Sequence, residues 1–170
     1  MASTMQQARR VPVPAHEPLI GTEAHDYADA FEVTVAASDA RSSEAFARCA
    51  LEEAAAPVRW TIAVVHRWVL GLRLAPPSSP DHVLGWKVVT SERDVVALEA
   101  RSPLLGRGVI VGRRPDATRV VVATYLFYAR PRAARSVWAF VGPLHRAIAP
   151  YLLARAAGAR QPVQLTGVAR

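Results

Sequence analysis

The sequence has a single cysteine, which excludes two common ways of stabilising a small protein. With Cys49 alone, the chain can form no internal disulfide and no cysteine-based zinc site. No uninterrupted apolar stretch reaches the roughly 18 residues that a membrane span needs. The first ten residues also lack the apolar centre of a secretory signal. We therefore expect a cytoplasmic protein without a membrane span.

Lysine is almost absent, so the positive charge comes from arginine. Twenty of the 21 basic residues are arginine, Lys87 is the exception, and the net charge is +7. This charge raises the question of nucleic acid or an anionic membrane as a partner. The arginines are scattered, however, without zinc-finger spacing, an RNP-like motif or a basic helical stripe. We predict solvated arginines and no nucleic-acid binding, and keep an interaction module that uses the basic surface as a third alternative.

The usual signatures of phosphate, cofactor and metal chemistry are missing as well. There is no glycine-rich phosphate loop, no Gly-x-Ser-x-Gly elbow and no dinucleotide fingerprint. Cys49 lies in a helical pattern beside Ala50 and Leu51, where a buried, inert thiol is expected. The five histidines are dispersed and have no carboxylate partner at metal-ligand spacing. We expect neither a cofactor nor a metal site.

The length of 170 residues suits one domain flanked by short segments. Residues 1–25 contain three prolines and are predicted to be extended or flexible. Residues 26–157 carry the periodic apolar patterns of a folded domain. Residues 158–170 follow a natural helix stop at Gly158 and are predicted to be an irregular tail.

The domain begins with one strand and two short helices. Residues 31–35 alternate apolar and polar side chains, as in a strand. A helix follows, with Ser43 as its expected N-cap. Pro57 can open a second helix over about residues 58–72. In that helix Trp60 and Trp68 share a face, and we expect both to fill the core.

The second half of the domain changes from strand to helix. Residues 83–90, 95–101, 105–113 and 118–129 are rich in β-branched and aromatic residues, with links of at most four residues. Links this short favour an antiparallel meander. Residues 133–157 return to a helical period, and we expect Pro143 to kink this helix. The sequence therefore predicts an α+β fold in which a curved sheet wraps around a long C-terminal helix and leaves a cavity.

Two segments sharpen this prediction into a resemblance. Residues 26–31 (DYADAF) and 141–153 (VGPLHRAIAPYLL) resemble segments of the helix-grip fold of the START and polyketide-cyclase (SRPBCC) superfamily, and within it a bacterial family of unknown function. The resemblance spans roughly residues 26–157, which is most of the chain. It implies a hydrophobic ligand, such as a lipid, sterol or polyketide, in a cavity under the long helix. It implies no particular catalytic residues.

Three side chains are candidates for acid–base chemistry. His145 lies near the expected sheet-facing side of the long helix, and its ordinary pKa suits proton transfer. The alternative is a histidine that bonds a backbone carbonyl and merely packs, or that lies at the helix edge with its ring nitrogen toward solvent. Glu99 would have a raised pKa if its strand face lines the cavity, and is merely the polar half of an alternating strand if it does not. The Tyr125 hydroxyl could orient a ligand. Asp26, Tyr27 and Asp29 precede the predicted strand and fit a turn, so we expect a structural role for them.

Aromatic and apolar residues complete the predicted ligand site. We expect Trp86, Phe127, Trp138 and Val141 to contact a ligand, although such residues also fill ordinary cores. The first functional hypothesis is a cofactor-free cyclase or isomerase that acts on a hydrophobic or polyketide-like molecule. The alternative is a non-catalytic lipid or hydrophobic-ligand carrier or sensor. The sequence leaves a homodimer open.

Overall fold

Seven strands form one curved, antiparallel, open sheet in the computed structural model, which describes residues 7–76 and 79–159. The strands are β1 Arg9–Val11, β2 Tyr27–Thr34, β3 His82–Val83, β4 Trp86–Ser91, β5 Val95–Ser102, β6 Gly106–Asp116 and β7 Arg119–Phe127. Their spatial order is β1-β2-β7-β6-β5-β4-β3. Strands β3 to β7 thus neighbour each other in chain order, which confirms the predicted antiparallel meander.

Three α-helices accompany the sheet within the described residues: α1 Ser43–Glu52, α2 Ala56–Val64 and α3 Pro131–Gly158. Pro57 lies in the first turn of α2, as predicted, and a π-helical stretch, Val65–Val69, continues that helix. The N-cap of α1 is Ser42 rather than Ser43. Ser42 has extended backbone angles, so its hydroxyl accepts a hydrogen bond from the Ala45 amide at 3.1 Å.

The two faces of the sheet have different covers. The inner face carries residues such as Phe31, Leu98 and Leu126, and the three helices pack against it. The outer face carries the side chains of Val109, Ala123 and their neighbours. It is covered by the N-terminal segment, whose apolar residues are Val11, Val13, Leu19 and Ile20. Since strand side chains alternate, neighbouring residues of one strand belong to different faces.

The N-terminal segment is part of the sheet, although the sequence places residues 1–25 outside the domain. β1 pairs with β2 in antiparallel register, with Arg10 opposite Phe31. Glu17 is buried and accepts hydrogen bonds from the Arg113 guanidinium at 2.6 and 2.9 Å. These contacts fix residues 9–20 on the outer face. Residues 1–6 and most of the predicted tail, 160–170, lie outside the described residues.

A tight turn divides the strand predicted at residues 83–90. Leu84 and Gly85 both have positive φ angles, 48° and 84°, and join β3 to β4. Glycine is required at the second position, because a Cβ atom there would lie 2.8 Å from the Leu74 Cβ and 2.9 Å from the Ala75 carbonyl oxygen. The apolar run 83–90 therefore forms a hairpin rather than one strand.

The prediction that Trp60 and Trp68 fill the core is wrong. Their side chains are 69% and 77% exposed. The inward face of this helix instead carries Ile62, which is buried, and His66. The eight-residue spacing of the two tryptophans thus marks the outward face of α2 and its π-helical continuation.

No helix among residues 7–76 and 79–159 has the length and apolar character needed to cross a membrane.

Candidate functional site: a cavity between the sheet and the helices

A cavity lies between the inner face of the sheet and the helices. The space open to the centre of a water-sized sphere is about 140 Å³, roughly ten times what one buried water needs. Its wall is mostly aliphatic and aromatic and comes from β2, β4 to β7, α1, α2 and α3. Such a chamber suits an apolar molecule of about ten non-hydrogen atoms, with orientation set by the few polar groups of the wall.

His145 lies in this wall and is held by a carboxylate on β2. Its Nε2 atom lies 3.2 Å from Oδ1 of Asp29. The other carboxylate oxygen of Asp29 accepts a hydrogen bond from the Tyr27 hydroxyl at 2.6 Å. Tyr27 and Asp29 are two apart in the strand, so both side chains project from the inner face toward α3. The result is a Tyr27–Asp29–His145 chain at the edge of the cavity.

The Asp29 carboxyl is ionised, although its side chain has no exposed surface. Burial alone would raise its pKa. The hydrogen bond and charge of His145, the Tyr27 hydroxyl and the charge of Arg10 outweigh burial, and the pKa lies below the usual 3.8. Burial and the Asp29 carboxylate conversely raise the pKa of Tyr27 to about 12. Tyr27 is therefore a fixed hydrogen-bond donor at neutral pH.

Because Asp29 is ionised, it determines which ring nitrogen of His145 is free to accept a proton. A carboxylate only accepts hydrogen bonds, so Nε2 of His145 must carry a proton toward Asp29. In a neutral imidazole the lone pair then lies on Nδ1. The aromatic rings of Trp138 and Phe31 lie 5.4 and 6.4 Å from the His145 ring, centre to centre. The Tyr27–Asp29–His145 chain thus presents an oriented imidazole whose Nδ1 can accept a proton.

A second histidine, which the sequence analysis did not select, lies in another part of the wall. His66, in the π-helical stretch, accepts a hydrogen bond at Nδ1 from the indole N–H of Trp86 at 3.3 Å. Burial, together with the charge of His145, lowers the pKa of His66 from 6.5 to about 4. His66 is therefore neutral at physiological pH.

Two further polar atoms of the wall have no hydrogen-bond partner among the described residues. They are the hydroxyl of Ser43 and the indole N–H of Trp138, and both are buried. The indole nitrogen lies beside Gly142, where a Cβ atom would approach it to 3.3 Å. A buried polar atom without a partner costs free energy, so these two atoms are unusual features of the wall.

Four of the seven predicted site residues line the cavity: His145, Trp86, Trp138 and Val141. Glu99, Tyr125 and Phe127 do not, which corrects the expectation that all seven share one site. Tyr125 and Phe127 belong to the cluster on the outer face, under the N-terminal segment. Glu99 follows the same alternation on β5, where it pairs with Arg101 at 2.8 Å and Arg107 at 3.8 Å. Glu99 is therefore the polar half of an alternating strand, the second of the two alternatives that its sequence pattern allowed.

The alternation of β7 explains the misplacement. Alternation along β7 places Tyr125 and Phe127 on one face and Thr124 and Leu126 on the other, but it does not show which face meets the helices. The inner face carries the small or aliphatic residues Val120, Val122, Thr124 and Leu126. The bulkier aromatic face, with Tyr125, packs outward, where His25 contacts the Tyr125 ring with centres 5.5 Å apart. Large aromatics are a poor guide to the concave face here because the N-terminal segment gives the outer face its own core.

The structure also changes the interpretation of the segment before the first predicted strand. Tyr27 and Asp29 were expected to form a turn, but β2 begins at Tyr27. Extending the alternation of residues 31–35 backward would have put 27 and 29 on the same face as Phe31. That signal was present in the sequence. The sequence carried no signal for the pairing with His145, which is 116 residues away.

The site includes no evident metal centre. Within residues 7–76 and 79–159, no group of three or more His, Cys, Asp or Glu side chains is arranged to hold a metal ion. The polar groups of the wall are instead hydrogen-bond donors and imidazoles.

Comparison with family models, curated proteins and solved structures found no match to this chain.

Proposed function

We propose that this protein binds an apolar small molecule in the cavity and that His145 transfers a proton to or from it. The observation that carries the proposal is the Tyr27–Asp29–His145 chain at the wall of a mostly apolar chamber. A surface ion pair would need neither a fully buried carboxylate nor a hydroxyl fixed on its second oxygen. Such an arrangement orients an imidazole for acid–base chemistry.

The reaction class that fits is a cofactor-free isomerisation or cyclisation. Nδ1 of His145 would take a proton from a carbon next to a carbonyl group. The C–H electron pair would become the C=C bond of an enolate, and the carbonyl π electrons would pass to oxygen. In a substrate with a C=C bond conjugated to this enolate, return of the proton from Nδ1 to the far carbon of the dienolate re-forms the carbonyl group, moves the C=C bond and completes an isomerisation. In a cyclisation, the enolate carbon attacks a second carbonyl of the same molecule, the first carbonyl re-forms, and the proton on Nδ1 passes to the new alkoxide oxygen to give a hydroxyl group. The apolar wall would contribute by holding the substrate in a reactive shape.

The helix-grip fold and membership of the START and polyketide-cyclase superfamily are part of this proposal. The sheet order, the meander and the long C-terminal helix over the inner face support them. A hydrophobic or polyketide-like ligand is the class that this assignment implies.

A non-catalytic carrier or sensor is the second candidate, because the same cavity is lined mainly by aliphatic and aromatic side chains. The two candidates differ in whether the bound molecule is changed. A carrier needs the chamber, whereas an enzyme also needs the basic nitrogen of His145.

The test begins with native mass spectrometry of the purified protein and extraction of any bound molecule. The extract is then returned to wild-type protein, to His145→Gln and to His16→Gln, a control at an exposed histidine. The enzyme proposal expects conversion by wild type and by His16→Gln, and a loss of about 100-fold or more in His145→Gln. Binding without conversion by any of the three favours the carrier. A molecule that binds equally well when Val141→Trp fills the chamber would place it outside the cavity and contradict both candidates.

A further inference from the structure

His66 is a partly buried polar group of the cavity wall that the acid–base chemistry of His145 does not use. Its ring lines the chamber from the π-helical stretch, whereas His145 lines it from α3. A molecule in the chamber can therefore contact both imidazoles.

Trp86 fixes the tautomer of His66. An indole N–H can only donate, so the His66 Nδ1 atom, 3.3 Å away, must accept. The neutral ring therefore carries its proton on Nε2. No hydrogen bond engages Nε2 within the part of the chain that the structure describes. His66 is thus a neutral N–H donor in the wall of the cavity.

Two buried, unpaired polar atoms of wall residues can also donate hydrogen bonds. The buried indole N–H of Trp138 can only donate, and the Ser43 hydroxyl can donate as well as accept. The one buried carboxylate nearby, Asp29, already uses both oxygens for Tyr27 and His145. The chamber therefore offers a ligand the Nε2–H donor of His66 and, among the described residues of its wall, no carboxylate for a cation.

From this arrangement we propose that His66 is the group that recognises the ligand, donating a hydrogen bond from Nε2 to a carbonyl or enolate oxygen. This assigns the substrate class as an apolar carbonyl compound rather than a hydrocarbon or an amine. The inference rests on the proposed function and deepens it: His145 would move the proton while His66 stabilises the negative charge on oxygen. A neutral imidazole donor suits this role because it adds no positive charge to an apolar chamber.

Two probes of equal size test the recognition of a carbonyl. Acetophenone and α-methylstyrene have the same shape and number of non-hydrogen atoms, and differ by an oxygen in place of a methylene group. Their dissociation constants are measured by following the four indole N–H signals in ¹H–¹⁵N spectra. We expect wild-type protein to bind the ketone about tenfold more tightly, as one added hydrogen bond to the unpaired Nε2–H donor of His66 would give.

Two variants at the same position identify the donor. His66→Phe keeps an aromatic ring and removes the donor, so the preference for the ketone should fall to about twofold or less. His66→Gln can still accept from Trp86 through its amide oxygen and donate through its amide nitrogen, so it should retain most of the preference. An unchanged preference in His66→Phe would overturn the assignment of His66.

The outcomes separate this inference from the proposed function. If wild-type protein binds both probes equally, cavity binding stands and the carbonyl assignment falls. If neither probe binds, the proposed function fails together with the inference. A ¹⁵N spectrum of the ligand-free protein tests the tautomer whether or not the variants fold: a proton on Nε2 of His66 supports the inference, and a proton on Nδ1 overturns it.

Discussion

At the scale of single residues, Asp29 determines what His145 can do. A buried carboxylate is stable only when donors replace the water it has lost. Asp29 has two, Tyr27 and His145, on different oxygens. The same two contacts fix the orientation of the His145 ring, so the stability of the fold and the geometry of the site depend on one side chain.

We expect Tyr27→Phe to lower the free energy of unfolding by about 2 kcal/mol at pH 7, because a charged buried acceptor loses a donor. The effect has a defined pH dependence. Since the folded-state pKa of Asp29 is lowered, its stabilisation is present above the unfolded value, about 3.8, and is lost as the pH falls through the folded value. The difference between wild type and Tyr27→Phe in urea denaturation should therefore shrink below about pH 4. Tyr151→Phe, at a half-exposed tyrosine on α3, is the control and should change stability by less than about 0.5 kcal/mol.

Protonation gives His66 a positive charge, whereas it removes the negative charge of Asp29, so His66 leads to a separate prediction of stability against pH. Its pKa falls from 6.5 in the unfolded chain to about 4 in the fold, mainly through burial and secondarily through the charge of His145. Protonation therefore favours the unfolded state, so stability is full above about pH 6.5 and declines as the pH falls to about 4. At about 1.4 kcal/mol per pH unit, the whole decline is of the order of 3 kcal/mol.

His66→Gln removes this titration. We expect its stability, measured by urea denaturation from pH 4 to 7.5, to decline less than that of wild type across this window. His16→Gln, at an exposed histidine, should keep the wild-type slope. Equal slopes for wild type and His66→Gln would show that His66 does not titrate with a lowered pKa in the fold.

At the scale of elements, the sequence was most informative where local chemistry decides the structure. Pro57 in the first turn of α2, the short links of the meander and the end of α3 at Gly158 all follow from residues within a few positions. Which face of an element meets the core depends on long-range packing. The alternation of β7 and the tryptophan spacing of α2 are each compatible with either orientation, and in both cases the bulkier face is the outer one.

The contrast between exposed and buried tryptophans can be measured directly. Trp68 is 77% exposed, whereas Trp86 is 4% exposed and packs its ring over Gly108. We expect Trp68→Ala to change the free energy of unfolding by less than about 0.5 kcal/mol. Trp86→Ala should cost about 3–5 kcal/mol, because it leaves a cavity and also removes the donor to His66. Similar losses in the two variants, measured by chemical denaturation, would contradict the orientation of α2.

At the scale of the whole molecule, the sheet separates two packed layers. The inner face and the helices form the chamber with its two histidines. The outer face and the N-terminal segment form a second core, closed by the buried Glu17–Arg113 pair. His145 was recognisable in the sequence because a helix period assigns faces over many turns. A strand period divides the side chains between two faces but does not show which face lines the cavity. Tyr125 and Glu99 were therefore expected in the same site as His145.

This separation predicts that Tyr125 and Glu99 do not take part in binding or turnover. The Tyr125 hydroxyl is buried without a hydrogen-bond partner among the described residues, so Tyr125→Phe removes an uncompensated polar group. We expect it to leave the free energy of unfolding unchanged or to raise it by up to about 1 kcal/mol. Glu99→Gln breaks partly exposed ion pairs and should cost less than about 1 kcal/mol.

The functional measurement is the acetophenone dissociation constant, with His145→Gln as the comparison from the inner face. Tyr125→Phe and Glu99→Gln should bind the ketone within about twofold of wild type, because the sheet lies between each side chain and the chamber. His145→Gln replaces a wall residue and should alter both ketone affinity and any conversion of an extracted ligand. A loss of binding in Tyr125→Phe, in a variant of undiminished stability, would mean that the outer face communicates with the site. The N-terminal segment would then contribute to ligand binding and would not only cover the second core.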